Sequence, residues 1–129
     1  MRHVLIDTNI YSLAMRGEPD VLDRLQRLDE IVFSVVSLGE LLAGFMGGNR
    51  EAHNRAELEH FLDSPRVRLL AIDRETADFY AAVVRALKRA GTPIPTNDIW
   101  IAALALRHGL PLYTRDAHFR MVAGLVLVP

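Results

Sequence analysis

The chain contains no cysteine, which excludes a disulfide framework, a thiolate-bound zinc and any C-x-x-C redox motif. Lysine is nearly absent too: Lys88 is the only one, against fourteen arginines. No apolar run approaches the ~20 residues that span a bilayer. The opening Met1-Arg2-His3-Val4 lacks the apolar core of a signal peptide. A soluble cytoplasmic protein with no membrane association is therefore expected. The net charge of -1 offers no overall basic face for nucleic acid. There is no glycine-rich phosphate loop, no serine in a nucleophile-elbow pattern and no H-E-x-x-H pair among the five histidines. Hydrolytic chemistry is therefore expected to use metal-activated water rather than a covalent nucleophile.

What is present is a chain of 129 residues, half of them hydrophobic, long enough for one domain with a real core over residues 1–129. Val4–Ile6, Ile31–Phe33, Val67–Ile72, Leu112–Thr114 and Leu125–Val128 read as short apolar strands. Between them the periodicity predicts helices over Ile10–Arg16, Val21–Leu28, Val36–Met46, residues 50–62, a long one from Asp73 to Ala90, and Asp98–Arg107. Pro19 suits a first helical turn, and Gly47-Gly48, Gly91 and Gly109 are stops. Asp98–Arg107 is apolar on nearly every face and so is expected at the centre. Strands alternating with helices imply an α/β fold, a mainly parallel sheet covered on both sides.

Against that background four acids stand out. Asp7 ends the run Val4-Leu5-Ile6, Glu40 lies within Val35-Val36-Ser37-Leu38-Gly39-Glu40-Leu41-Leu42, Asp98 precedes Ile99-Trp100-Ile101-Ala102-Ala103-Leu104, and Asp116 follows Leu112-Tyr113-Thr114. Burying a lone carboxylate costs several kcal/mol. A shared hard cation relieves that cost, because it prefers oxygen ligands. By the strand assignments Asp7 and Asp116 fall beyond strand carboxyl ends, where open parallel sheets bind ligands. Asp98 opens a helix whose N-terminus favours negative charge. The pattern points to a magnesium or manganese site fed by separate elements.

Each acid also has a plainer explanation. Asp7 can cap the next helix, Ser37 with Glu40 fits a capping box unless Ser34 is the cap instead, Asp98 can follow an Asn97 cap, and Asp116 can be a turn residue. Their joint occurrence beside the most apolar segments is what favours a shared site. The other acids lie in polar stretches. The histidines read as surface residues, and His118, two positions after Asp116, as structural or at most at the rim of the site. The arginine excess suits phosphate recognition through the guanidinium fork. A GC-rich codon usage is the plainer explanation of that excess.

Leu5-Ile6-Asp7-Thr8-Asn9, the Ser34–Gly44 stretch with Glu40, Ile94-Pro95-Thr96-Asn97-Asp98-Ile99-Trp100-Ile101-Ala102-Ala103 and Leu112-Tyr113-Thr114-Arg115-Asp116-Ala117-His118-Phe119 together make the chain resemble a PIN-domain ribonuclease, specifically the VapC-type toxin of bacterial toxin–antitoxin pairs. The resemblance runs along the whole chain. It implies a three-layer α/β/α PIN-like domain and one or two magnesium or manganese ions held by Asp7, Glu40, Asp98 and Asp116. It further implies Thr114 and Asn9 as supporting residues, and cleavage of single-stranded or looped RNA to a 5′-phosphate and a 3′-hydroxyl. Arg16, Arg50, Arg115 and Arg120 are candidate RNA contacts. A homodimer and a cognate VapB-type antitoxin are implied as partners. Leu38, Leu41, Leu42, Phe45 and Met46 make one helix apolar enough to suit such a partner, although core packing accounts for it as well.

Three rivals remain at this stage. A phosphoacceptor receiver domain would want paired acids after the first strand and a lysine late in the chain, whereas Asp7 is followed by Thr8-Asn9. A PIN nuclease of RNA or DNA processing would lack a neighbouring antitoxin gene. A catalytically silent binding module would keep its function after Asp7→Asn and Asp98→Asn.

Overall fold

A computed structural model describes residues 2–129. Its five strands are β1 (His3–Ile6), β2 (Glu30–Ser34), β3 (Val67–Leu70), β4 (Leu112–Tyr113) and β5 (Leu127–Val128). They lie in the order β3-β2-β1-β4-β5, and every pairing is parallel, so the sheet is wholly rather than mainly parallel. Helices α1 (Thr8–Met15), α2 (Pro19–Gln26), α3 (Val35–Met46), α4 (Glu51–Leu62), α5 (Arg74–Ala90) and α6 (Thr96–His108) supply the crossovers. A short 3-10 helix, Ala117–Met121, lies between β4 and β5 and was not foreseen from the sequence.

Strand side chains alternate between the faces of a sheet, and here both faces are dry. Val4, Ile6, Ile31, Phe33, Tyr113 and Val128 point to one side, where Ile10, Val21, Leu25, Leu41 and Leu58 of α1–α4 cover them. Leu5, Val32, Leu70 and Leu112 point to the other, against Val83 and Leu87 of α5, Ile101, Leu104 and Ala105 of α6, and Phe119. Two cores thus sandwich the sheet, giving three layers. Helix α6 is buried along most of its length, as its all-round apolarity implied.

Local chemistry sets the boundaries. Ser34 ends β2 and caps α3, its hydroxyl accepting the Ser37 N–H at 3.0 Å, so Ser37 and Glu40 do not form a capping box. With β2 finished there, β3 has no partner beyond Leu70 and stops short of Ile72. Asp73 caps α5 through the Thr76 N–H, and Gly91 and Gly109 close α5 and α6 with φ of 68° and 63°, the left-handed region glycine enters freely. Helix α6 begins at Thr96, two residues earlier than expected, because the Pro95 carbonyl accepts the Ile99 N–H at 3.2 Å. That places Asn97 and Asp98 together in the first turn and leaves Asn97 free of any capping role.

On α3, Leu41 is buried and Leu38, Leu42 and Phe45 pack against the first core, so core packing explains most of that helix's apolarity. Met46 alone of the five stands out, 68% exposed. No helix among the described residues is long and apolar enough to cross a membrane.

Candidate metal centre

The sheet order reverses at β1: β2 lies on one side of it and β4 on the other. In parallel sheets the crevice beyond such a switch point is the usual ligand site. Asp7 is the first residue past β1, tied there by its N–H donating to the Tyr113 carbonyl at 3.0 Å. Glu40 reaches the crevice from α3, Asp98 from the first turn of α6, and Asp116 from the turn after β4.

Asp7 is only 4% exposed. Its Oδ1 accepts the Thr8 N–H at 2.7 Å, so it does cap α1, and its Oδ2 accepts the Thr114 hydroxyl at 2.9 Å. These two donors favour the charged form, but burial outweighs them. Together with the negative charges of Asp98 and Asp116, burial pushes the Asp7 carboxyl from the ordinary 3.8 up to about 6. Asp98, its side chain 15% exposed, is also raised, first by burial and then by Asp116 and Glu40, with His118 acting against them. No arginine or lysine pairs with any of the four acids among the described residues. The acids therefore repel one another across a partly dry space, and a divalent cation is the group that suits this donor set.

The supporting side chains are more numerous than the sequence indicated. Thr8 Oγ1 lies 2.6 Å from both Glu40 Oε1 and Ser37 Oγ. With one proton to give, it donates to the carboxylate, the stronger acceptor, and accepts from Ser37. Asn97 Nδ2 donates to Glu40 Oε2 at 3.3 Å. Thr114 is the hinge of the site: its hydroxyl donates to Asp7 and accepts the Asp116 N–H at 2.9 Å. That turn also ends β4 one residue earlier than expected. Asp116 in turn caps the 3-10 helix by accepting the His118 N–H at 2.9 Å, so its turn role and its position in the crevice coexist.

Of the two readings open for His118, its position fits the rim of the site. Its Nδ1 stands 3.2 Å from Asp98 Oδ2 and 3.1 Å from Asp116 Oδ1, and ligand atoms of these three residues lie within 4.8 Å of one another. Its position two residues after Asp116 was the available signal. Asn9, by contrast, is exposed and makes no hydrogen bond to the acids among the described residues. It lines a cavity of about 340 Å³ with Ser12, Leu13, Arg16, Arg115 and Asp116. A second cavity, about 550 Å³, runs past Thr114, Arg115, Asp116 and Arg120. Arg16, Arg115 and Arg120 thus surround the Asp116 side of the crevice, while Arg50, next to the start of α4, lines neither cavity. On the Glu40 side the wall is apolar: Val35, Val36, Ala43, Ile72 and Trp100 line an open groove that also includes Asn97. A further cavity, about 570 Å³ beside α2, reaches Thr114 and Arg115 but none of the four acids.

Comparison with known proteins agrees with this architecture. The PIN domain family model matches residues 4–125. A plasmid stability protein, StbB of Pseudomonas syringae pv. tomato, is 35% identical over 133 aligned residues, covering 97% of this chain and 96% of that protein. Ribonuclease VapC4 of Mycobacterium tuberculosis is 32% identical, covering 99% and 97%. Among solved structures, VapBC-1 from nontypeable Haemophilus influenzae superposes with a TM-score of 0.88 at 27% identity, over 98% of this chain and 96% of that one. The chain belongs to the PIN-domain family, and within it to the VapC type.

Proposed function

We propose that this chain is a metal-dependent endoribonuclease, the toxin of a VapBC-type toxin–antitoxin pair, acting through Asp7, Glu40, Asp98 and Asp116. Endoribonuclease activity and the toxin role are supported by the ribonucleases among its relatives and by its likeness to chains solved in VapBC complexes. The observation that carries the site assignment is Asp7: a buried carboxylate without a basic partner, facing two further acids, is costly to hold charged despite its two hydrogen bonds, and a shared cation would relieve that cost. We take residues 1–129 as one PIN domain, Mg2+ or Mn2+ as the ion, one or two per site, and a homodimer with a cognate antitoxin in the cytoplasm as the resting assembly.

The four acids are the residues that would hold the cation, with Thr114 and Thr8 orienting Asp7 and with Thr8 and Asn97 orienting Glu40. When bound, the cation supplies more acidic water and neutralises charge on the phosphate. Glu40, held by two donors at the edge of the crevice, is the carboxylate we assign to orienting the attacking water and taking its proton. The free N–H groups at the start of α6 favour a phosphate near Asp98. Arg16, Arg115 and Arg120 then bind neighbouring phosphates of an unpaired strand, which leaves its bases open to recognition by shape.

Cleavage of a mixed structured RNA by the purified chain tests this reading, with Mg2+, Mn2+ or chelator, beside Asp98→Asn prepared identically. Cutting should require the metal and vanish in the variant while its fold persists. Equal cutting by both proteins would overturn the assignment of Asp98.

A further inference from the structure

The side chain that the four-acid description leaves unexplained is His118. Its imidazole does not drift in solvent. Asp116 fixes its backbone N–H, and the next residue, Phe119, is fully buried in the second core, so the 3-10 helix is anchored on both sides of it. Nδ1 is thereby aimed between Asp98 and Asp116, at 3.2 and 3.1 Å. The side chain is 51% exposed, which leaves an approach for a hydrated ion.

We infer that His118 is a ligand of the bound cation, completing a two-carboxylate, one-imidazole set with Asp98 and Asp116, and that it biases the site toward Mn2+ over Mg2+. This rests on the metal-dependent reading above and goes beyond it by adding a nitrogen donor to an all-oxygen set. Mg2+ keeps its waters and prefers oxygen, so it gains little from an imidazole. First-row transition ions accept nitrogen more readily than Mg2+ does, and carboxylates suit Mn2+ and Mg2+ alike, so between these two ions the imidazole is the donor that favours Mn2+. Neutral imidazole is needed for ligation, and Nδ1 is the nitrogen that must carry the lone pair.

Mn2+ binding to the full chain, followed by electron paramagnetic resonance with Mg2+ as competitor, tests this. The comparison is of wild type, His118→Ala, His118→Gln and Asp7→Asn, each checked for a single cooperative melting transition in chelator. Wild type should show nitrogen hyperfine coupling of the imidazole type on bound Mn2+, absent from both His118 variants. Mn2+ affinity should fall on the order of tenfold or more in those variants, since loss of even an indirect supporting group costs that much. Mg2+ affinity should change little, so the Mn2+/Mg2+ ratio collapses. Mn2+ that binds wild type, depends on Asp7, and yet shows no nitrogen coupling would overturn the role of His118 while leaving the carboxylate site standing. A rise in affinity for both ions alike in His118→Ala would overturn it too, marking the imidazole as a counter-charge the metal displaces. Absence of any Mn2+ or Mg2+ binding would overturn this inference and the metal-dependent reading together.

Discussion

Replacing Asp7 with asparagine should stabilise the metal-free protein. The raised carboxyl, at about 6 rather than 3.8, means that the folded state resists ionising this group. The unfolded chain ionises it near the ordinary value. The stability that goes with protonated Asp7 is complete below pH ~4 and is lost as pH rises through about 6. At pH 7.5 the loss amounts to about 3 kcal/mol by the linkage relation. Because Asp7 is 4% exposed, solvent screening does little to reduce that figure. Asparagine keeps the shape and can accept the Thr8 N–H, but carries no charge to desolvate or to repel Asp98 and Asp116. For a chain of 129 residues such a gain moves the melting midpoint by on the order of 10 °C. Thermal melts of both proteins in chelator, from pH 4 to 8, measure it. The gap should open between pH 4 and 7 and then level off. Adding Mg2+ or Mn2+ should raise the wild type alone, by about 2.7 kcal/mol at a hundredfold excess over Kd. An asparagine variant that melts with or below the wild type at pH 7.5 in chelator would refute the reasoning, as would a gap that does not narrow at pH 4.

Thr114→Val removes the donor to Asp7 and the acceptor of the Asp116 N–H, so it should weaken Mn2+ binding and cost about 1–3 kcal/mol in chemical denaturation. Ser34→Ala deletes the α3 cap and should cost ~1 kcal/mol in the same assay, with metal affinity little changed. Reversing charge at Arg16 and Arg115 should weaken RNA binding and flatten its salt dependence, measured by fluorescence anisotropy in chelator on an Asp98→Asn background, whereas Arg50→Glu should have a smaller effect.

Much of this was legible in the chain because two kinds of signal coincided. Continuous apolar runs such as Val4-Leu5-Ile6 mark strands dry on both faces, and an acid ending such a run is conspicuous whatever its neighbours do. Helix stops at Gly91 and Gly109 were equally plain. What stayed hidden depends on contacts distant in sequence. Thr8 and Ser37 are 29 positions apart, and Asn97 lies 57 from Glu40, so no local pattern links them. The 3-10 helix was missed because its anchor is a single buried Phe119 rather than a periodic face. His118 was undervalued since a lone exposed histidine looks the same on any surface; only the placement of α6 reveals what it faces. The capping alternatives for Asp7 and Asp116 turned out not to compete with the crevice. Asp7 caps α1 with one oxygen and accepts the Thr114 hydroxyl with the other, while Asp116 Oδ1 both accepts the His118 N–H and faces the His118 ring.

The bond from Thr114 to Asp7 joins positions 107 apart and, with β4, brings the last acid to the first. The order of synthesis therefore governs when the centre can exist. A growing chain exposes Asp7, Glu40 and Asp98 while β4 is still unmade, and these three have nothing to hold Asp116 beside them. On the proposed four-acid assignment, cutting requires β4 to be docked against β1. Ribosome-held fragments, and chains clipped before Thr114, should be inert toward the RNA around them.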